Sequence, residues 1–221
     1  MKILLIGDSH TEHIHKYDNN NIKFTTLKIG GATAQGLLNL RSSRKTLNKI
    51  LKFFKKYDTN YFNYVLLCFG EVDCNSAIWF YKNKYNVSLN QQLSRSINNY
   101  EKFIHEYIEH HFKPNQIILL TPILPNVSDE IYNKQRPSLR TEQFISQRDR
   151  TDLTFKFISK LKTLSVKNKY SLISINDRLL DSKTNLIKDE FVNPSAHLPA
   201  KIAAKFWGDT IINKIKEKEV A

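Results

Sequence analysis

The alternation of short apolar, β-branched runs with longer segments of helical period constrains this chain more than any other feature. The runs fall at residues 2–6, 22–27, 61–69, 116–121 and 170–175, each bounded by polar, Gly, Pro or Asn residues. A short continuous apolar run between turn signals is the pattern of a strand buried on both faces. Helical patterns lie between and after them, at about 34–57, 89–112, 141–166 and 199–216. Strand, helix and strand in this order join parallel neighbours through right-handed crossovers. The sequence therefore predicts an α/β fold, a flavodoxin-like three-layer α/β/α sandwich around a five-stranded parallel sheet. In such sheets ligands bind beyond the carboxyl ends of the strands, so the loops that follow the strands are where chemistry is to be sought.

Composition bounds the remaining choices. At 221 residues, 41% hydrophobic, with six glycines and six prolines, the chain can bury one core and has no disordered bias; one domain over 1–221 is expected. No stretch approaches the roughly eighteen apolar residues of a membrane span, and residues 1–7 are too short an apolar run for a signal peptide, so a cytoplasmic location is expected. Cys68 and Cys74 form neither a disulfide framework nor a zinc-site spacing. The net charge of +13 favours anionic partners, whether nucleic acid, anionic lipid, charged polysaccharide or the phosphates of coenzyme A. Lys45, Lys49, Lys52 and Lys56 share one helical face opposite Leu47, Ile50, Leu51 and Phe54, which is the pattern of a solvated basic face. No helix-turn-helix, RNA-binding or zinc-finger pattern accompanies it, so no specific nucleic acid is expected.

Two connections are longer than their neighbours: 74–88, with Trp79, Phe80 and Tyr81, and 122–140, with Pro122, Pro125 and Pro137. Both are expected to be loops that leave the active edge of the sheet and contact a ligand.

Gly7-Asp8-Ser9-His10 ends the first strand on a tight turn, a position suited to a nucleophile. A serine hydroxyl becomes one only when a base removes its proton, and His197, in the polar loop Asn193-Pro194-Ser195-Ala196-His197 before the last helix, is the candidate. Taken singly, the serine reads as a helix cap and the histidine as structural; the pairing carries the functional reading. His10, His13 and His15 are expected to line the pocket entrance, and no metal is expected.

Gly7-Asp8-Ser9-His10 resembles the first block of SGNH (GDSL-like) hydrolases, with histidine where many members have leucine. Gly30-Gly31-Ala32-Thr33 stands where the second block places its glycine. The third block, G-x-N-D, is matched by Gly70-Glu71-Val72-Asp73, with valine in place of asparagine. This is similar to a Gly-Glu-Ile/Val-Asp-Cys variant associated with bacterial surface-carbohydrate loci, including capsule biosynthesis. In the last block, D-x-x-H, the aspartate position three residues before His197 is occupied by Pro194.

The resemblance implies Ser9 as nucleophile, His197 as base, and an oxyanion hole of the Ser9 and Gly31 amides with Asn75 as substitute third donor. For the group that orients His197 it leaves Asn193 first, Asp189 or Glu190 next, or a Ser-His dyad. Asp8 and Asp73 are expected to brace the loops, and His10, Glu71, Trp79, Arg136 and Arg140 are the substrate-binding candidates. The implied activity is an acyl-ester enzyme acting on a carbohydrate or polysaccharide. O-acetyl transfer from acetyl-CoA as co-substrate, with no bound cofactor, is ranked ahead of hydrolysis by an esterase or deacetylase. A carbohydrate-binding domain that keeps the fold without the chemistry is the alternative from a different class, and a serine-directed probe separates the two.

Overall fold

A computed structural model describes residues 1–17, 22–135, 144–194 and 197–220. Five strands, β1 (Lys2–Gly7), β2 (Lys23–Lys28), β3 (Tyr64–Cys68), β4 (Ile117–Leu120) and β5 (Ser171–Ile173), form one parallel sheet in the order β2-β1-β3-β4-β5. This is the flavodoxin-like order, with its switch point at β1. The expected fold class is the one observed.

Successive side chains of a strand point to opposite faces, and the core follows that rule. Leu4, Ile6, Val65, Leu67, Ile117 and Leu119 face one apolar layer. Ile3, Leu5, Leu66, Ile118 and Leu120 face the other. The helices α2 (Thr46–Lys56), α3 (Ile78–Tyr85), α4 (Leu89–Phe103) and α6 (Gln147–Asn168) cover the first face through residues such as Ile50, Ile78, Tyr100 and Phe157. The second is covered by α1 (Thr11–Ile14), α7 (Asn176–Leu179) and α8 (Ala200–Val220), through Ile14, Leu179, Trp207 and Ile211. Among the described residues no helix is long and apolar enough to cross a membrane.

Three expected elements differ. Residues 34–45 are turns rather than the first part of a helix, because the amides of Ala34 and Gln35 are taken by the Asp73 carboxylate and Gly36 N–H by Thr33 Oγ1; helix α2 begins only after Lys45, itself left-handed at φ 51°. Residues 74–88 are not a loop: a π-helical turn, Asp73–Ala77, runs directly into α3. A new helix, α4, then starts at Ser88, whose hydroxyl and Gln91 form a reciprocal capping box. The connection after β4 contains helix α5 (Asp129–Gln135).

Candidate active site

The carboxyl ends of β1, β2 and β3 are tied together before any functional side chain is placed. Asp8 N–H donates to the Cys68 carbonyl at 3.0 Å and Ile29 N–H to the Gly7 carbonyl at 2.8 Å. At Gly7 a Cβ would stand 2.3 Å from the Cys68 carbonyl oxygen, so only glycine lets β1 turn this close to β3. The turn delivers Ser9 to the sheet edge, just before α1.

His197 meets it there: Nε2 lies 2.8 Å from Ser9 Oγ, across 188 residues of sequence. The hydroxyl donates to the ring in the tautomer that carries its proton on Nδ1. Burial foremost, then the neighbouring His10 and His13, pushes the His197 pKa down to about 4 against the pull of Asp8 and Glu12. The ring is therefore neutral at neutral pH and ready to accept a proton. His10 lies against it at 4.6 Å between ring centroids and His13 meets it edge-on at 5.4 Å. His13 and His197 line a shallow depression with Glu12, Asn193, Leu198 and Pro199, while His10 is buried beneath and His15 is exposed.

Asp8 Oδ1 accepts the His10 main-chain amide at 2.9 Å and lies 3.0 Å from His10 Nδ1. Glu71 Oε2 is 3.8 Å from the same nitrogen. Asp8, His10 and Glu71 bring one ligand-type atom each within 4.8 Å of one another, which is where a cation could be held. Their atoms are engaged with each other and, for Glu71, with the Asn75 amide.

Gly31 sits at φ +71°, a left-handed conformation that favours glycine, and the Arg44 guanidinium lies over it: a Cβ there would come within 3.0 Å of Arg44 Nε. Asp73, fully buried, holds the following residues by accepting Ala34 N–H at 2.6 Å and Gln35 N–H at 3.0 Å. Asn193 stabilises the opposite wall. Its main-chain amide donates to Asn126 O at 2.9 Å, and its Nδ2 donates to the main-chain carbonyl of His197 at 3.0 Å. That bond fixes the loop that carries His197, a different contact from the side-chain-carbonyl orientation expected of Asn193. Asp189 and Glu190 are exposed on a 3₁₀ turn, and the carboxylates His197 feels are Asp8 and Glu12.

Asn75 is buried in the π-helical turn. Its Nδ2 donates to Glu71 and its main-chain carbonyl accepts from the Tyr132 hydroxyl. Trp79 is corrected from substrate candidate to core residue: it is 8% exposed and its Nε1 donates to the Cys74 carbonyl at 2.8 Å, because the helical turn swings the indole inward. Arg136 and Arg140 lie outside the described residues. Sequence reasoning missed Arg44, which nothing in its local pattern distinguishes from the other basic residues of that stretch, and the tilted ring contact of His10 with His197, for which the histidine in Gly-Asp-Ser-His was the available signal.

No family model matches the sequence, and no curated protein matches it. The fold is that of SGNH (GDSL-like) hydrolases. A GDSL-like lipase from Bacteroides thetaiotaomicron superposes with a TM-score of 0.58 at 12% identity, covering 98% of this chain and 88% of its own. An acetyl xylan esterase gives 0.55 at 16% identity, covering 97% and 100%. A Bacteroides fragilis protein assigned by inference as an acylhydrolase gives 0.63 at 14% identity, covering 98% and 87%.

Proposed function

We propose that the protein is a serine-dependent acyl-ester enzyme acting on a carbohydrate. The observation that carries this reading is the 2.8 Å contact between Ser9 Oγ and a neutral His197 Nε2 at the switch-point edge of the sheet. His197 takes the Ser9 proton as Oγ bonds to the ester or thioester carbonyl carbon, and the carbonyl π pair moves onto oxygen. The amides of Ser9 and Gly31 receive that oxyanion, with Asn75 Nδ2 as third donor in place of the asparagine that Val72 replaces; one such donor is worth about a hundred- to a thousandfold in turnover. When the carbonyl re-forms, the leaving alkoxide or thiolate takes the proton from His197, and an acyl-Ser9 enzyme remains. The same steps in reverse order of partners pass the acyl group to an acceptor hydroxyl. The chemistry asks for no metal.

The residues around the pair divide by what they touch. Asp8 and Asp73 position the serine turn and the Gly31 loop, Asn193 positions the His197 loop, and His10 and Glu71 form the buried wall beside the base. The ring of the base is seated against His10 and His13.

For the acceptor, the reading is transfer of acetyl from acetyl-CoA to a sugar hydroxyl, supported by the net charge of +13 against a donor that carries several phosphate charges. Hydrolysis is the second reading, favoured by the shared fold of an acetyl xylan esterase. The test is to incubate the protein with p-nitrophenyl acetate, with and without acetyl-CoA and polysaccharide acceptors, beside Ser9→Ala and His197→Ala. A Ser9-dependent mass gain of one acetyl group on the saccharide supports transfer. Ser9-dependent hydrolysis indifferent to acceptors supports the esterase. Equal rates in wild type and Ser9→Ala refute catalysis altogether.

A further inference from the structure

A second concave surface opens where the turns after Gly31 meet α3 and α4. Its volume is about 310 Å³, within the roughly 300–1,000 Å³ typical of small-ligand sites. Tyr81 and Tyr85, one helical turn apart, stack with their rings 2° from parallel at 5.7 Å, and Tyr85 is 50% exposed. Opposite them stand Asn39, Arg95 and Asn99. The floor is Gln35, 8% exposed. Its Nε2 donates to Gln92 Oε1 at 3.0 Å and its main-chain carbonyl accepts from Asn99 Nδ2 at 2.7 Å. Its side-chain oxygen is buried with no hydrogen-bond partner among the described residues, which is costly unless a ligand hydroxyl or water supplies the donor.

The lining chemistry selects the occupant. In a chain with 34 Lys and Arg, Arg95 is the one ionised group among the described lining residues. A nucleotide or other phosphate ligand calls for several cations, and a lipid chain for an apolar trough; amides, a guanidinium, tyrosine faces and the single aliphatic side chain of Leu38 offer neither. Side-chain amides pair with hydroxyls as donor and acceptor together, and tyrosine gives a rigid face with a polar tip. We propose that this groove binds an uncharged sugar unit of the carbohydrate substrate, one ring lying against Tyr85 and Tyr81 and its hydroxyls meeting Gln35, Asn39 and Asn99.

The groove is joined to the reaction centre through the main chain. Gln35 N–H and Ala34 N–H both bond to Asp73, and Gly31 lies only a few residues upstream on the same turn. Binding here would order the loop that presents the Gly31 amide, so energy gained from a remote sugar is realised at the oxyanion. This use in turnover rests on the acyl-ester reading of Ser9; the binding itself does not.

The test titrates Ser9→Ala protein with xylotetraose, cellotetraose and chitotetraose and follows backbone amides by ¹H–¹⁵N NMR. At least one tetramer is expected to shift the amides of Gln35, Asn39, Tyr85 and Asn99 together, with Kd raised tenfold or more by Tyr85→Ala and by Asn39→Ala; both sites are at the surface, so the variants are expected to keep the parent melting temperature. No shift with any tetramer at millimolar concentration, shifts confined elsewhere, or an affinity untouched by both substitutions would overturn the groove. Loss of the acyl-ester reading shows separately, as absence of Ser9-dependent p-nitrophenyl acetate turnover by the wild type.

Discussion

Replacing Asp73 by asparagine tests whether a buried carboxylate holds the loop that carries Gly31. Burial lifts the Asp73 pKa from 3.8 to about 6, against the opposing pull of the Gln35 and Ala34 amides. A carboxyl whose folded pKa exceeds its unfolded value holds more protons folded than unfolded between those two values, so stability is lost as pH rises from 3.8 through 6. A shift of about two units corresponds to about 3 kcal/mol in full, of which about 2 kcal/mol falls between about pH 4.5 and pH 7.5. The amide introduced by Asp73→Asn cannot titrate. It also turns its own NH₂ toward one of the two main-chain amides, a fixed cost of about 1–3 kcal/mol. Urea denaturation of both proteins at the two pH values isolates the carboxyl, because every other titrating group cancels in the comparison. The wild type's stability advantage over Asp73→Asn is expected to shrink by about 2 kcal/mol on going from about pH 4.5 to pH 7.5. An advantage that is constant with pH, or that grows, refutes the buried-carboxylate account. At the higher pH the variant should also lose about tenfold in kcat on p-nitrophenyl acetate, as the Gly31 amide loses its anchor.

Further outcomes follow from the same geometry. With the His197 pKa at about 4, kcat/KM of the Asp73→Asn variant, in which position 73 cannot titrate, should stay level from neutral pH to about 5 and fall only on passing through 4; an acid limb near 6.5 in that variant would contradict the burial of the ring. The same depression contributes stability that is present above pH 6.5 and lost as pH falls through about 4, opposite in sign to Asp73. His10→Gln removes a neighbour that holds the His197 pKa down, so the acid limb should move up, and an unmoved limb would show that burial alone sets it. Gly31→Ala must adopt φ +71°, costing about 1–2 kcal/mol, and by displacing the amide should lower kcat about a hundredfold; wild-type turnover with intact stability would remove Gly31 from the oxyanion site.

The sheet was legible because its strands are buried on both faces and announce themselves as continuous apolar runs. Ser9 was legible because it stands in the tight turn that ends β1, and His197 because it stands in the polar segment just before the last helix, which returns to the same edge of the sheet. The failures have two causes, long-range contacts and the want of an amphipathic stripe. The helical period over 34–45 is overruled by one carboxylate 39 residues away in sequence, which takes the Ala34 amide. Residues 78–85 hide their helix because Trp79 is buried while Phe80 and Tyr85 are exposed, so aromatics occur on every side and no amphipathic stripe shows. Arg44 over Gly31 and the amides around Gln35 are tertiary juxtapositions that no local pattern encodes.

Ser9 and its base sit near opposite ends of the sequence, and the seam between those ends is closed by helix α8: Tyr17 packs over Gly208 and its hydroxyl bonds to Asp209 at 2.9 Å. Such contacts of high sequence separation are among the costliest to close during folding. A chain that has formed its sheet but not docked α8 therefore carries an ordinary seryl alcohol. If Ser9 is the nucleophile proposed above, its reactivity would be conferred only on completed molecules, and labelling of Ser9 by a serine-directed reagent would serve as a clock for the final docking step.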